Sequence, residues 1–190
     1  MFRPAVLIAL MLLAACQPPT PPPLAGARIG GPFALVDQNG VARTDRDFAG
    51  RYRIMYFGFT YCPDVCPVDL ARLVDGYRAF AKADPARAAR VVPVFVSVDP
   101  ARDTPAVLKT FTAAFDPALV GLTGSRQAID AVTKAYGVAV QVGKPNADGG
   151  YLVDHSRAAY LMGPDGAPIA LLSNEAKPEV IAAELKKWVD

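Results

Sequence analysis

Two thiols and one imidazole carry most of the chemistry open to this 190-residue sequence. Cys62 and Cys66 stand four residues apart in the run 57–67, Phe-Gly-Phe-Thr-Tyr-Cys-Pro-Asp-Val-Cys-Pro. If the segment from Pro63 enters a first helical turn, an i,i+4 pair shares one helix face. Two sulfurs so placed can pinch one soft metal ion, close into a disulfide or exchange with the disulfide of another protein. His155 is the single histidine and lies 89 positions beyond Cys66, so only the fold can bring it to the thiols.

Two thiolates and an imidazole form a soft, three-coordinate donor set. Cu(I) favours such ligands, and the imidazole also helps to hold Cu(II). A structural zinc site normally takes four protein ligands. No fourth histidine or cysteine is on offer, so zinc would need water or a carboxylate. The plain alternative is a bridge that staples a loop, but a loop this short constrains the unfolded chain little.

The elements around the thiols must form a strand and a helix. Ile54 to Phe59 is a nearly unbroken apolar run, as in a central strand buried on both faces, and the strand is read over Arg51–Phe59. From Pro67 to Ala83, apolar residues recur at Leu70, Leu73, Val74, Tyr77 and Phe80, a helical period. The strand thus delivers the cysteines to a helix N-terminus, where unpaired amides and the helix dipole favour a thiolate.

Upstream, Phe33–Val36 reads as a strand entering an Asn39-Gly40 turn, and Arg43–Gly50 as loop. Downstream, Val91–Val98 is a second buried strand. Thr104 then caps a helix that has Pro105 at its first position and reaches about Phe115. Asp99–Pro105 reads as this cap plus an Asp–Arg ion pair. Ala118–Leu122 forms a short strand, Ser125–Tyr136 a helix ended by Gly137, and Val138–Val142 a strand. Gly143–Gly150 is a loop leading to Asp154-His155-Ser156. On a strand, Asp154 would point away from the His155 face and serve the hydrogen bonds of the loop. Ala158–Met162 and Pro168–Leu172 flank a Gly163–Gly166 hairpin turn, and Pro178–Val189 closes the chain as an amphipathic helix. Met55, Met162 and Trp188 read as packing residues. The pattern predicts an α/β sandwich: a central mixed sheet flanked by helices, with an N-terminal hairpin extension.

The N-terminus reads as an address. Arg3 precedes the apolar stretch Ala5–Ala15, too short for the roughly 20 residues that span a bilayer. It ends in Leu13-Ala14-Ala15-Cys16, which resembles a bacterial lipobox. Residues 1–15 are therefore expected to be a lipoprotein signal peptide and Cys16 the lipidated N-terminus, its sulfur removed from redox chemistry. Residues 16–28, with Pro18, Pro19, Pro21, Pro22 and Pro23, read as an extended tether, and residues 29–190 as one domain. This places the domain outside the cytoplasm, membrane-anchored by lipid, on the periplasmic side in a Gram-negative cell. A formal net charge of +2, with no basic stripe, gives no electrostatic case for nucleic acid.

The sequence resembles the Sco/SenC family of copper-binding proteins that help assemble cytochrome c oxidase. The resemblance rests on Phe59–Pro67, on Ser97-Val98-Asp99-Pro100 with Arg102-Asp103-Thr104, on Val153–Ser156 and on Gly163–Gly166, in that order. Tyr61 stands where members often carry His or Phe, and Gly150 where an acidic residue is common. The resemblance implies a thioredoxin-like fold and copper, as Cu(I) and Cu(II), held by Cys62, Cys66 and His155. It further implies a metallochaperone rather than an enzyme, acting on the CuA centre of oxidase subunit II, with other copper chaperones and thiol-disulfide oxidoreductases as partners. The other reading is a thiol-disulfide oxidoreductase that keeps the subunit II cysteines reduced, using Cys62 and Cys66 alone. A thiol peroxidase of the same fold is a third.

Overall fold

The computed structural model describes residues 20–190. The segment expected to be a signal peptide, residues 1–15, and Cys16 lie outside the described residues. Nine strands and five helices follow one another as β1 (Ala34–Asp37), β2 (Ala42–Thr44), β3 (Tyr52–Gly58), α1 (Val65–Ala83), α2 (Pro85–Ala88), β4 (Val91–Ser97), α3 (Pro105–Ala113), β5 (Val120–Thr123), α4 (Arg126–Ala135), β6 (Val140–Val142), β7 (Val153–His155), β8 (Ala159–Met162), β9 (Pro168–Leu172) and α5 (Pro178–Trp188). These counts apply to the described residues.

Seven strands form one mixed sheet in the order β2-β1-β5-β4-β3-β8-β9. The centre is set by apolar continuity: every residue of β3 and of β4 is buried. They pair in parallel from Tyr52 opposite Val91 to Gly58 opposite Ser97, with α1 in the crossover. β8 pairs antiparallel with the other edge of β3, and β9 with β8. A parallel β-α-β half and an antiparallel β-β-α half meet along β3, giving a thioredoxin-like sandwich. Neighbouring residues of β3 face opposite layers. Tyr56 meets Asp69 of α1 on one side, while the Phe57 ring packs 5.2 Å from Tyr136, at the end of α4, on the other. α5 seats against α1 at Gly76, where an added Cβ would lie 2.5 Å from the Ile181 side chain. Among the described residues, no helix is long and apolar enough to cross a membrane.

The expected elements form, with four differences. The stretch read as loop, Arg43–Gly50, instead contributes to β2 and to a 3-10 turn over Asp45–Phe48. The Asp47 carboxylate accepts from the Thr44 amide and hydroxyl, a local capping arrangement that polar composition conceals. The short α2 had no periodic signal; it is held by Asp84 accepting from the Arg87 amide. α1 starts two residues earlier than Pro67, which draws Cys66 into its first turn. In the segment expected to be an extended tether, the Leu24 amide donates to the Ile169 carbonyl and Ala27 closes a turn back to Leu24. β9 is an edge strand, and the apolar Leu24 side chain packs on the core, so this part is docked.

Candidate metal centre

β3 ends at Gly58, and the chain turns through Phe59–Asp64 into α1. The turn is pinned from behind. The Asp103 carboxylate accepts from the Thr60 amide at 3.0 Å, the Thr60 hydroxyl at 2.6 Å and the Ser97 hydroxyl at 2.6 Å. Asp103 is wholly buried, and burial pushes its carboxyl up against the pull of these donors. The Asp99–Pro105 stretch does contain the expected cap, Thr104 accepting from the Val107 amide, and the expected ion pair of Arg102 with Asp99. The grip of Asp103 on the cysteine turn is additional. Sequence reasoning missed it because nothing local links positions 60 and 103.

The two thiols sit in unlike surroundings. Cys62 is half-buried at the mouth of a cleft of about 280 Å³ lined by Phe59, Pro63, Leu152 and His155. Burial pushes its thiol up, but the amides of Cys66, Asp64 and Val65 and the Cys66 thiol more than offset this, leaving it below its ordinary value. These are the free donors of the α1 N-terminus, and the Cys66 amide points at Cys62 Sγ from 3.4 Å. Cys66 has no exposed surface, and burial pushes its thiol up to about 12. A thiol-alkylating reagent is therefore expected to modify Cys62 at least about tenfold faster than Cys66 at neutral pH. Peptide mass spectrometry of briefly treated protein would check this; equal labelling would contradict the asymmetry.

His155 ends β7, which pairs with β6 in a separate two-stranded sheet that leans over the thiols. Ser156 anchors this strap: its amide donates to the Ala139 carbonyl and its hydroxyl accepts from the Ala139 amide. His155 Nε2 lies 3.2 Å from Cys66 Sγ, and Nδ1 lies 3.1 Å from the Ser156 carbonyl. A carbonyl only accepts, so the ring proton is assigned to Nδ1 and the Nε2 lone pair faces the sulfur. Burial pulls the imidazole below its ordinary value, so it is neutral at pH 7. The Phe59 ring meets it edge-on at 6.0 Å. Asp154 is exposed and lines the same cleft; among the described residues its carboxylate makes no hydrogen bond, where loop bonds were expected.

The fold thus brings Cys62, Cys66 and His155 together. A second set of residues lies behind them. Asp69, three positions after Cys66 on the same helix face, is 1% exposed and accepts from the Tyr56 hydroxyl, from Asn174 and from both Nε and Nη2 of Arg157. Tyr56 in turn touches the Cys66 thiol. A lone carboxylate on the apolar face of α1 was the available signal; its partners at 157 and 174 could not be located without the fold. Arg102 supports the rim, its guanidinium lying 3.6 Å from the Tyr151 ring and 4.9 Å from that of Tyr61.

The donor chemistry fits a soft ion: two sulfurs and one neutral imidazole nitrogen, shielded on one side by Phe59. Among the described residues, no group of three or more His, Cys, Asp and Glu side chains is already drawn together closely enough to hold an ion. The Cys66–His155 pair is preset, and Cys62 stands beside it.

The SCO1/SenC family model matches residues 22–190. Protein SenC of Rhodobacter capsulatus is 42% identical over 166 residues, which are 87% of this chain and 73% of that protein. The mitochondrial SCO1 homolog of Mus musculus is 38% identical over 157 residues, 83% of this chain, and the match spans only 55% of that protein. The solved structure of Bradyrhizobium japonicum ScoI with copper bound is similar at a TM-score of 0.77 and 42% identity, over 85% of this chain and 99% of that one. With a family match over nearly the whole described domain, the chain belongs to the SCO1/SenC family.

Proposed function

We propose that this chain is an extracytoplasmic metallochaperone that carries copper on Cys62, Cys66 and His155 and delivers it to the CuA centre of cytochrome c oxidase subunit II. The observation that carries this reading is the aim of the His155 Nε2 lone pair at Cys66 Sγ, 3.2 Å away, beside a second thiol. The copper-bound relative supports the choice of metal. The Leu13–Cys16 segment supports a lipid anchor at Cys16 on a membrane surface, and the docked Leu24 would hold the domain close to it.

Copper is the cargo. On loading, each cysteine loses its proton, and Cys62 turns inward to complete the preset Cys66–His155 pair. The imidazole is already neutral and needs no proton loss. Release proceeds by ligand exchange: thiolates of the acceptor replace the ligands of this chain one at a time, starting at the accessible Cys62, and no covalent bond to carbon breaks. The test is to mix the copper-loaded chain with copper-free subunit II and follow the CuA absorption. Its appearance supports delivery; its absence, with copper left on this chain, contradicts it.

Loading is expected to depend steeply on pH. Where both cysteines are protonated and the imidazole is neutral, two thiol protons leave, so Cu(I) affinity rises about a hundredfold per pH unit there. Above the lowered Cys62 value only the Cys66 proton leaves, and the slope falls to about tenfold per unit, up to the Cys66 value of about 12. A Cu(I) competition series from acid to alkaline pH would show the break. A flat profile would contradict two-thiolate binding.

The asymmetry of the thiols favours a second reading, thiol-disulfide exchange with the subunit II cysteines. The Cys62 thiolate would attack a partner disulfide, forming a mixed disulfide and expelling one partner thiolate. The Cys66 thiolate, after losing its proton, would attack Cys62 Sγ and expel the other. The partner gains two electrons and this chain becomes the disulfide, which an external dithiol reductant must restore. This activity would survive His155→Ala unchanged, whereas copper delivery would be weakened.

A further inference from the structure

A second site lies at the other end of β3 from the thiols. Arg53, the second residue of β3, is separated from Gly58 by roughly 17 Å of strand. Its side chain is buried at 3% exposure, and its Nε has no hydrogen-bond partner. Among the described residues it forms no ion pair. The Tyr136 hydroxyl beside it, on a residue 1% exposed, is also unpartnered. Burial pushes that phenol above its ordinary value, so it keeps its proton as a donor.

Both side chains line one cavity of about 230 Å³, together with Gly31, Asp45, Asp165 and Gly166. Gly166 has φ +86°, and a Cβ there would lie 3.0 Å from Arg53 Nη2, so the glycine keeps the space beside the guanidinium clear. The two carboxylates in the wall form no ion pair with Arg53. Asp45 accepts from the Phe33 amide at 3.4 Å and Asp165 from the Ala167 amide at 2.9 Å.

A buried guanidinium nitrogen left without an acceptor is costly, and replacing buried charge by an apolar side chain is often neutral or stabilising. The group that relieves such a site presents several oxygens to a forked donor. Arg46 also lines the cavity, so two cations face two carboxylates, and a singly charged ligand fits better than a dianion. Gly31 and Pro32 in the wall place the opening where the N-terminal segment joins the domain.

We propose that this cavity binds a monoanionic phosphate group, held by the Arg53 guanidinium and the Tyr136 hydroxyl. The group is available either as free phosphate or as the phosphodiester of a lipid headgroup beneath the tether. The site is independent of the copper reading, since neither residue touches Cys62, Cys66 or His155.

The test is hydrogen–deuterium exchange on the full chain, comparing segments 29–33 and 163–168. One arm titrates inorganic phosphate near pH 6 against chloride of equal ionic strength; the other adds phosphatidylglycerol vesicles without phosphate. Saturable protection of both segments is expected, weakened at least about tenfold in Arg53→Met and less in Tyr136→Phe. The arm that protects identifies the source. Arg53→Met is expected to melt no lower than the parent without phosphate, which separates lost binding from lost fold. If it melts lower, Tyr136→Phe, which keeps the ring, carries the test. No saturable protection in either arm, or protection equal in parent and variants, would overturn the proposal.

Discussion

Replacing Cys62 or Cys66 by Ala is expected to weaken Cu(I) binding by well over a hundredfold. Loss of a residue that merely orients a metal ligand typically costs about 10–100-fold, and loss of a ligand exceeds that. The two variants should differ in a second respect. Cys66→Ala removes the sulfur that faces His155 Nε2 and leaves a hole in a site with no exposed surface, so its stability falls as well. Cys62→Ala, at the half-buried mouth of the cleft, should fold as the parent does. His155→Ala is expected to spare part of the Cu(I) affinity, because two thiolates remain, but to abolish or shift the Cu(II)–thiolate absorption band. Anaerobic competition titrations and the visible spectrum check all three. Unchanged affinity and spectrum across the set would remove these residues from the copper reading.

The second large effect lies behind the ligands. Arg157→Leu takes two charge-assisted hydrogen bonds, at 2.7 and 2.9 Å, from a carboxylate that is 1% exposed. Asp69 is then left with the Tyr56 hydroxyl and the Asn174 amide, both neutral donors. Breaking a buried pair from one side typically destabilises by about 3–5 kcal/mol. The Arg157 side chain is 41% exposed, so its own charge is partly hydrated and the lower end, about 3 kcal/mol, is expected here. The double variant Asp69→Asn, Arg157→Leu should recover part of the loss, since a neutral amide replaces the stranded charge. Urea unfolding of the single and double variants measures this. If Arg157→Leu unfolds with the parent, the Asp69 cluster is not a structural support for Cys66.

The features that were legible in the sequence are those with a local period or a local motif. The nearly unbroken apolar run Ile54–Phe59 identified β3, and a 3.6-residue period identified α1, because burial on two faces and burial on one face leave different patterns. Thr104 and Ser125 marked helix starts because a hydroxyl at that position satisfies an orphan amide. Cys62, Cys66 and His155 stood out because so few soft ligands exist in the chain; the fold then brought them together. The contacts that hold them were not legible. Asp103 to Thr60 spans 43 positions and Asp69 to Arg157 spans 88, and neither pair has a spacing that any single helix or strand would produce. The Arg53 cavity was hidden for another reason. An arginine inside a strand reads as surface or as an edge, and only the packed sheet shows it buried and unpaired.

The central claim is that one copper ion is held by two sulfurs and one imidazole nitrogen of this chain. X-ray absorption spectroscopy at the copper edge tests it most directly, on the Cu(I)-loaded chain beside its His155→Ala variant. Two sulfur scatterers and one nitrogen with imidazole outer-shell features are predicted for the parent, with the nitrogen and outer-shell signals lost in the variant. A parent spectrum of sulfur alone, or one identical to that of the variant, would contradict the claim and leave Cys62 and Cys66 as a dithiol pair.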